Sequence, residues 1–154
     1  MALNDILPPS AVFATLKVGS KKQALQELSA HAAGLLKRDE REIFETLNQR
    51  ERLGSTGVGN GIAIPHGKLA KMDKLFGMFA RLEKPIDFEA LDGEPVDLIF
   101  LLLAPEAAGA DHLKALARVA RLLRDPETAR KLRNSRDAAA IHALLTGTPA
   151  TDAA

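Results

Sequence analysis

The sequence predicts an α/β fold: a single layered domain with a mixed, mostly parallel β-sheet flanked by helices on both faces. Three observations predict it. Strand-like apolar runs are interleaved with stretches of helical periodicity, the pattern of layered α/β domains. The segment from Val96 to Leu103 is nearly all apolar, as a central strand covered on both faces must be. The 154 residues suit one domain with a substantial core. That domain is expected over residues 1–147, with a disordered tail at 148–154.

The elements follow in order. Val12 to Leu16 reads as an edge strand. Ser20 is an N-cap for a helix to about Leu36, with Leu25, Leu28, Ala32 and Leu35 on one face. Asp39 opens a second helix to about Arg52, with Ile43 and Leu47 turned inward. The stretch GVGNGIAIPHGK, residues 57–68, then reads as a glycine loop followed by a short strand over Gly61 to Ile64. Pro65 locks its own φ and pushes Ile64 to extended geometry, which ends that strand and holds His66 at its tip. Gly67 removes bulk on the far side of the ring. Leu75 to Leu82 and Val96 to Leu103 are further strands, and helices follow at 110–124, 126–133 and 137–145.

Composition narrows the function classes. Lys and Arg total 21 against 20 for Asp and Glu, which gives no support for a nucleic-acid or membrane binder. Trp and Tyr are absent, so stacking on bases would fall to Phe alone. There is no cysteine, hence neither disulfide nor thiolate metal site. The start, MALNDILPPSAVFATL, lacks the pattern of a secretory signal, and no apolar run approaches the roughly 20 residues of a membrane span. A cytoplasmic protein is expected.

The chemistry concentrates around His66. Gly57, Gly59 and Gly61 permit positive φ, and successive free N–H groups in such a turn can hold an anion. The glycines follow a helix and precede a strand, the reverse of a dinucleotide fingerprint, and no Gly-Lys-Ser/Thr completes a Walker loop. A fixed, accessible, neutral imidazole is a nucleophile able to form a covalent intermediate; a lone histidine is more often structural. Arg50 falls in the middle of the apolar stripe set by Ile43 and Leu47. It reads equally as a snorkelling helix-end arginine or as a guanidinium aimed at a phosphoryl group. His112 sits in the first turn of the helix after the buried strand, on the face of Leu116, Val119 and Leu123. That is a favoured anion position, although a capped core histidine has the same signature. Ser55 and Thr56 can add hydroxyl donors or simply shape the turn. A two-histidine zinc site lacks a clear third ligand, Glu51 and Asp111 being the only nearby carboxylates. His31 and His142 read as structural. Lys114, Arg118 and Arg121 form a basic helix face, either solvated or suited to an acidic partner, and Leu53, Val58 and Leu69 could form the dry centre of a transient interface.

QRERLGSTGVGNGIAIPHGKL, together with FEALDGEPVDLIFLLLAP and DHLKALARVARLLRD, resembles the enzyme IIA proteins of the phosphotransferase system, fructose/mannitol class, closest to the nitrogen-regulatory branch. The likeness covers nearly the whole chain. It implies that His66 accepts a phosphoryl group on Nε2 from an HPr-like histidine phosphocarrier (NPr), that Arg50 stabilises phosphoryl charge, and that His112 supports the group by a hydrogen bond. It implies no cofactor and no metal, and regulated targets such as potassium-transport proteins or sensor kinases. The alternatives are a IIA component passing phosphate to a separate IIB protein for sugar transport, and a binding module without catalysis.

Overall fold

The computed structural model describes residues 2–147, and the expected disordered tail at 148–154 lies outside them. Two short 3₁₀ turns, Leu3–Asp5 and Pro9–Ala11, lead into strand β1, Val12–Leu16. Helix α1, Lys21–Leu36, begins where the Ser20 side chain accepts the Gln23 N–H, and helix α2, Glu40–Leu53, where Asp39 accepts the Arg41 N–H. Leu25, Leu28 and Ala32 are buried as the periodicity requires, but Leu35, expected beside them, is 40% exposed. It lies in the last turn of α1.

Strands β2 (Gly57–Gly59), β3 (Ile62–Ala63), β4 (His66–Leu69), β5 (Phe76–Ile86) and β6 (Val96–Pro105) follow. The sheet order is β1-β5-β6-β3-β2, and β4 also pairs with β6. The β1/β5, β3/β6 and β4/β6 pairings are parallel; β5/β6 and β2/β3 are antiparallel. Helices α3 (Ala110–Arg124), α4 (Pro126–Arg133) and α5 (Ala138–Thr146) complete the chain. Every residue of β6 from Leu98 to Ala104 has zero exposure, so both faces of this strand are covered. Each large side chain buried this way contributes about 1.5–3 kcal/mol relative to exposure, which makes β6 the fixed reference for what its neighbours carry.

Two expectations are corrected. The glycine stretch is not an open loop. Gly57–Gly59 is β2, which turns back on β3 through Asn60 and Gly61, both at positive φ (58° and 78°). Two central residues of positive φ characterise the tight turn that matches strand twist, and Asn-Gly is its preferred sequence. His66 also does not end a strand. It starts β4, opposite Leu102, while β3 lies opposite Leu98 and Ile99 on the same edge of β6. Pro65 has no N–H for the ladder, so it interrupts the strand, but its carbonyl accepts the Leu102 N–H at 2.9 Å and keeps the chain in register.

Candidate functional site

Helix α2 and strand β4 bring Arg50 and His66 together. A Cβ on Gly67 would lie 2.5 Å from Thr46 Cγ2, so the glycine permits the close approach of helix to strand. Arg50 is one helical turn beyond Thr46, and its Nε–H donates to His66 Nε2 at 3.2 Å. Its Nη1 donates to the Gly54 carbonyl at 2.9 Å. No carboxylate pairs with Arg50 among the described residues.

The partners of His66 fix its tautomer. Nδ1 lies 2.8 Å from the Ile64 carbonyl, which can only accept, so Nδ1 carries the proton. Nε2 is left with a lone pair, the acceptor of the Arg50 N–H. Burial, reinforced by the Arg50 guanidinium, holds the His66 pKa below its ordinary 6.5, while the Ile64 carbonyl and the Glu51 carboxylate pull the other way. The ring is therefore neutral at physiological pH.

His112 stands in the first turn of α3 at 7% exposure, its ring 5.6 Å from that of His66 and edge-on at 68°. Its Nε2 is buried without a hydrogen-bond partner, a cost a fold normally avoids. Burial lowers its pKa first, and the neighbouring His66 and Lys68 add to this. The resulting cluster holds an imidazole lone pair that meets an arginine N–H, a guanidinium without a carboxylate, and an unpartnered imidazole nitrogen. It suits a tetrahedral anion bonded to Nε2.

Ser55 and Thr56 are bonded within the protein. Ser55 Oγ donates to the Phe88 carbonyl at 2.8 Å and accepts the Gly57 N–H. The Thr56 hydroxyl donates to the Glu51 carboxylate, which also accepts the Thr56 N–H at 3.0 Å. Both hydroxyl protons are thus committed within the protein. Gly61 is level with Asp97 and Leu98, whose N–H groups its carbonyl accepts, five residues along β6 from the Leu102 position that faces His66. At about 3.3 Å per residue that is some 16 Å away. Gly59 lies opposite Ile62, and Gly57 lies opposite Ala63, level with Ile99 and three residues along β6 from Leu102, in that same hairpin. Its Gly61 serves packing instead: a Cβ there would lie 2.5 Å from Arg133 Nη2.

Leu53 (84% exposed) and Val58 are at the surface, whereas Leu69 (1%) is buried against the core and cannot form part of an interface. His31 stacks on Phe13, and His142 Nε2 bonds the Leu7 carbonyl. Among the described residues no three histidines or carboxylates are grouped to hold a metal ion, and no helix is long and apolar enough to cross a membrane. From the sequence, Glu51 stands out only as a nearby carboxylate for a metal. Its signal was present: four residues after Leu47, it falls on the same helix stripe that singled out Arg50.

The family model described as the phosphoenolpyruvate-dependent sugar phosphotransferase system, EIIA 2, matches residues 5–147. A nitrogen regulatory protein of Bradyrhizobium diazoefficiens is 65% identical over 153 residues, covering 99% of this chain and all of that one. The nitrogen regulatory protein of Escherichia coli is 40% identical over 152 residues, covering 98% of this chain and 93% of that one. The crystal structure of the nitrogen regulatory protein IIA-Ntr from Neisseria meningitidis superposes with a TM-score of 0.89 at 38% identity, covering 94% of this chain and 99% of that one.

Proposed function

This chain belongs to the EIIA 2 family of the phosphoenolpyruvate-dependent sugar phosphotransferase system and is similar throughout to its nitrogen regulatory members, and from that premise we propose that His66 accepts a phosphoryl group and that its phosphorylation state governs binding to target proteins. The observation that carries the reading is the His66 ring itself: Nδ1–H is engaged by the Ile64 carbonyl, and the Nε2 lone pair faces a guanidinium that has no carboxylate.

The donor is an HPr-like histidine phosphocarrier of the NPr type. His66 Nε2 attacks phosphorus as the bond from phosphorus to the donor nitrogen breaks, and that nitrogen leaves with its electron pair. The attacking atom carries no proton, so no general base is needed. The step depends on positioning and on stabilising charge on the transferring oxygens. As Nε2 becomes bonded to phosphorus, the Arg50 N–H turns from the ring nitrogen to a phosphoryl oxygen. The buried His112 Nε2 gains the partner it lacks. Nothing here calls for a cofactor, nucleic acid or membrane insertion.

The phosphoryl group adds about 1.5 to 2 negative charges at a surface site, enough to create or abolish a protein interface. Potassium-transport proteins and sensor kinases are the targets that fit, in the cytoplasm. Intact mass after incubation with phosphoenolpyruvate, enzyme I and a histidine phosphocarrier tests the acceptor. One acid-labile phosphoryl group is expected on wild type and none on His66→Ala. Wild type left unmodified, with a control acceptor working, defeats the reading. Modification kept in His66→Ala but lost in His112→Ala reverses the two roles.

A further inference from the structure

We infer that Glu51, clamped between Lys21 and Thr56, is a positioning residue that keeps Arg50 beside His66 and free of any carboxylate. This rests on the reading of His66 as the phosphoryl acceptor.

Arg50 and Glu51 are neighbours in α2, and a carboxylate is the natural partner of a guanidinium. Here both carboxylate oxygens are already engaged. Oε1 accepts the Thr56 N–H at 3.0 Å and lies 3.0 Å from Lys21 Nζ, and Oε2 accepts the Thr56 hydroxyl. The Glu51 side chain is 4% exposed, so water cannot stand in for these partners. Lys21, in the first turn of α1, is itself held by Glu89 at 3.1 Å and sits 4.9 Å from the centre of the Phe88 ring. Ser55 binds the same segment through the Phe88 carbonyl.

The turn 54–56 is therefore pinned by α1, by α2 and by the segment after β5. That turn carries the Gly54 carbonyl that receives Arg50 Nη1. With Nη1 anchored there, Nε–H points at His66 Nε2. One carboxylate thus both fixes the anchor of Arg50 and is withheld from Arg50 itself. Removing Lys21 would leave that carboxylate held by Thr56 alone and without its charge partner.

Glu51→Gln, Lys21→Met, Thr56→Val and Thr56→Ser are compared in the full chain. NMR reads the Arg50 Nε–H signal and the titration of the His66 ring nitrogens. A single-turnover assay reads phosphoryl acceptance from a histidine phosphocarrier. The wild-type Arg50 N–H should be resolved and slow to exchange. It should be lost in the first three variants and restored in Thr56→Ser, which keeps the hydroxyl. In those three the transfer rate should fall about tenfold or more, with KM for the carrier within about twofold of wild type. In Glu51→Gln the His66 titration should also move to lower pH, because the carboxylate that favours protonation is gone. An unchanged Arg50 signal in folded Lys21→Met and Thr56→Val overturns the inference, whether or not Glu51→Gln folds. A wild type that accepts no phosphoryl group defeats the functional reading instead, and the Arg50 signal still decides this one.

Discussion

Two stations on the same edge of β6 use their polar groups in opposite ways. At the hairpin station, around Asn60 and Gly61, backbone and charged groups are paired. The Gly61 carbonyl accepts two N–H groups, Asp92 accepts the Asn60 N–H at 3.0 Å, and Arg133 binds both Asp97 and the Asn60 carbonyl. At the imidazole station, where His66 faces Leu102, pairing is incomplete: the Nε2 lone pair meets only the Arg50 N–H, that arginine has no carboxylate, and a buried His112 nitrogen has no partner. The first station is closed by its own pairings. The second is held by neighbours that are satisfied, while its own His112 nitrogen is not. The glycines that draw the eye in the sequence belong to the hairpin.

The contrast is broken most forcefully at Arg50. Arg50→Ala should lower the single-turnover rate of phosphoryl acceptance by about 10²–10³, the usual loss when one charged donor is taken from a developing oxyanion. Urea unfolding should be nearly unchanged, because Arg50 is only partly buried and contributes no core side chain. A rate within a few-fold of wild type would mean that Arg50 is a helix-end arginine and nothing more. Gly61→Ala should do the reverse. It forces a side chain into positive φ and against Arg133, at a cost of about 1–3 kcal/mol in urea unfolding. The folded fraction should accept phosphoryl groups at the wild-type rate. Loss of transfer from fully folded Gly61→Ala would restore the glycines to the role of a phosphoryl cradle.

Much of this was legible in the sequence because it rests on local physics. Ser20 and Asp39 announce their helices by capping, and the unbroken apolar run of β6 announces a doubly covered strand. Helix arithmetic singles out Arg50 and His112 as polar residues on apolar stripes, and the Pro-His-Gly frame singles out His66. The misses have physical reasons too. The Asn60-Gly61 pair is a strong hairpin signal, but three glycines in five residues resemble a flexible loop when read by composition. Pro65 was read as a terminator, yet a proline that cannot donate can still accept, and that carbonyl carries the chain on into β4. Glu51 was overlooked because its partner Lys21 lies thirty residues upstream, and only tertiary packing makes a carboxylate on an apolar stripe tolerable.

The smallest expected effect is on pH, and it sharpens the comparison because the two stations titrate in different ranges. His66 and His112 both have folded pKa values below the ordinary 6.5, with burial the largest cause in each. The unfolded chain therefore binds protons that the folded site refuses. The stability these groups contribute is full above pH 6.5 and declines as pH falls below it toward the lowered folded values. At the hairpin, Asp92 is held below its ordinary 3.8 by the N–H groups it accepts, so its contribution is lost only in far stronger acid. Unfolding free energies of wild type and His112→Gln, measured by urea between about pH 8 and pH 5, should diverge in slope below pH 6.5, with wild type falling more steeply. Parallel slopes would show that His112 takes up a proton in the folded state as readily as in the unfolded one. A neutral His112, and with it a ready hydrogen-bonding partner for the phosphoryl group, would then no longer stand.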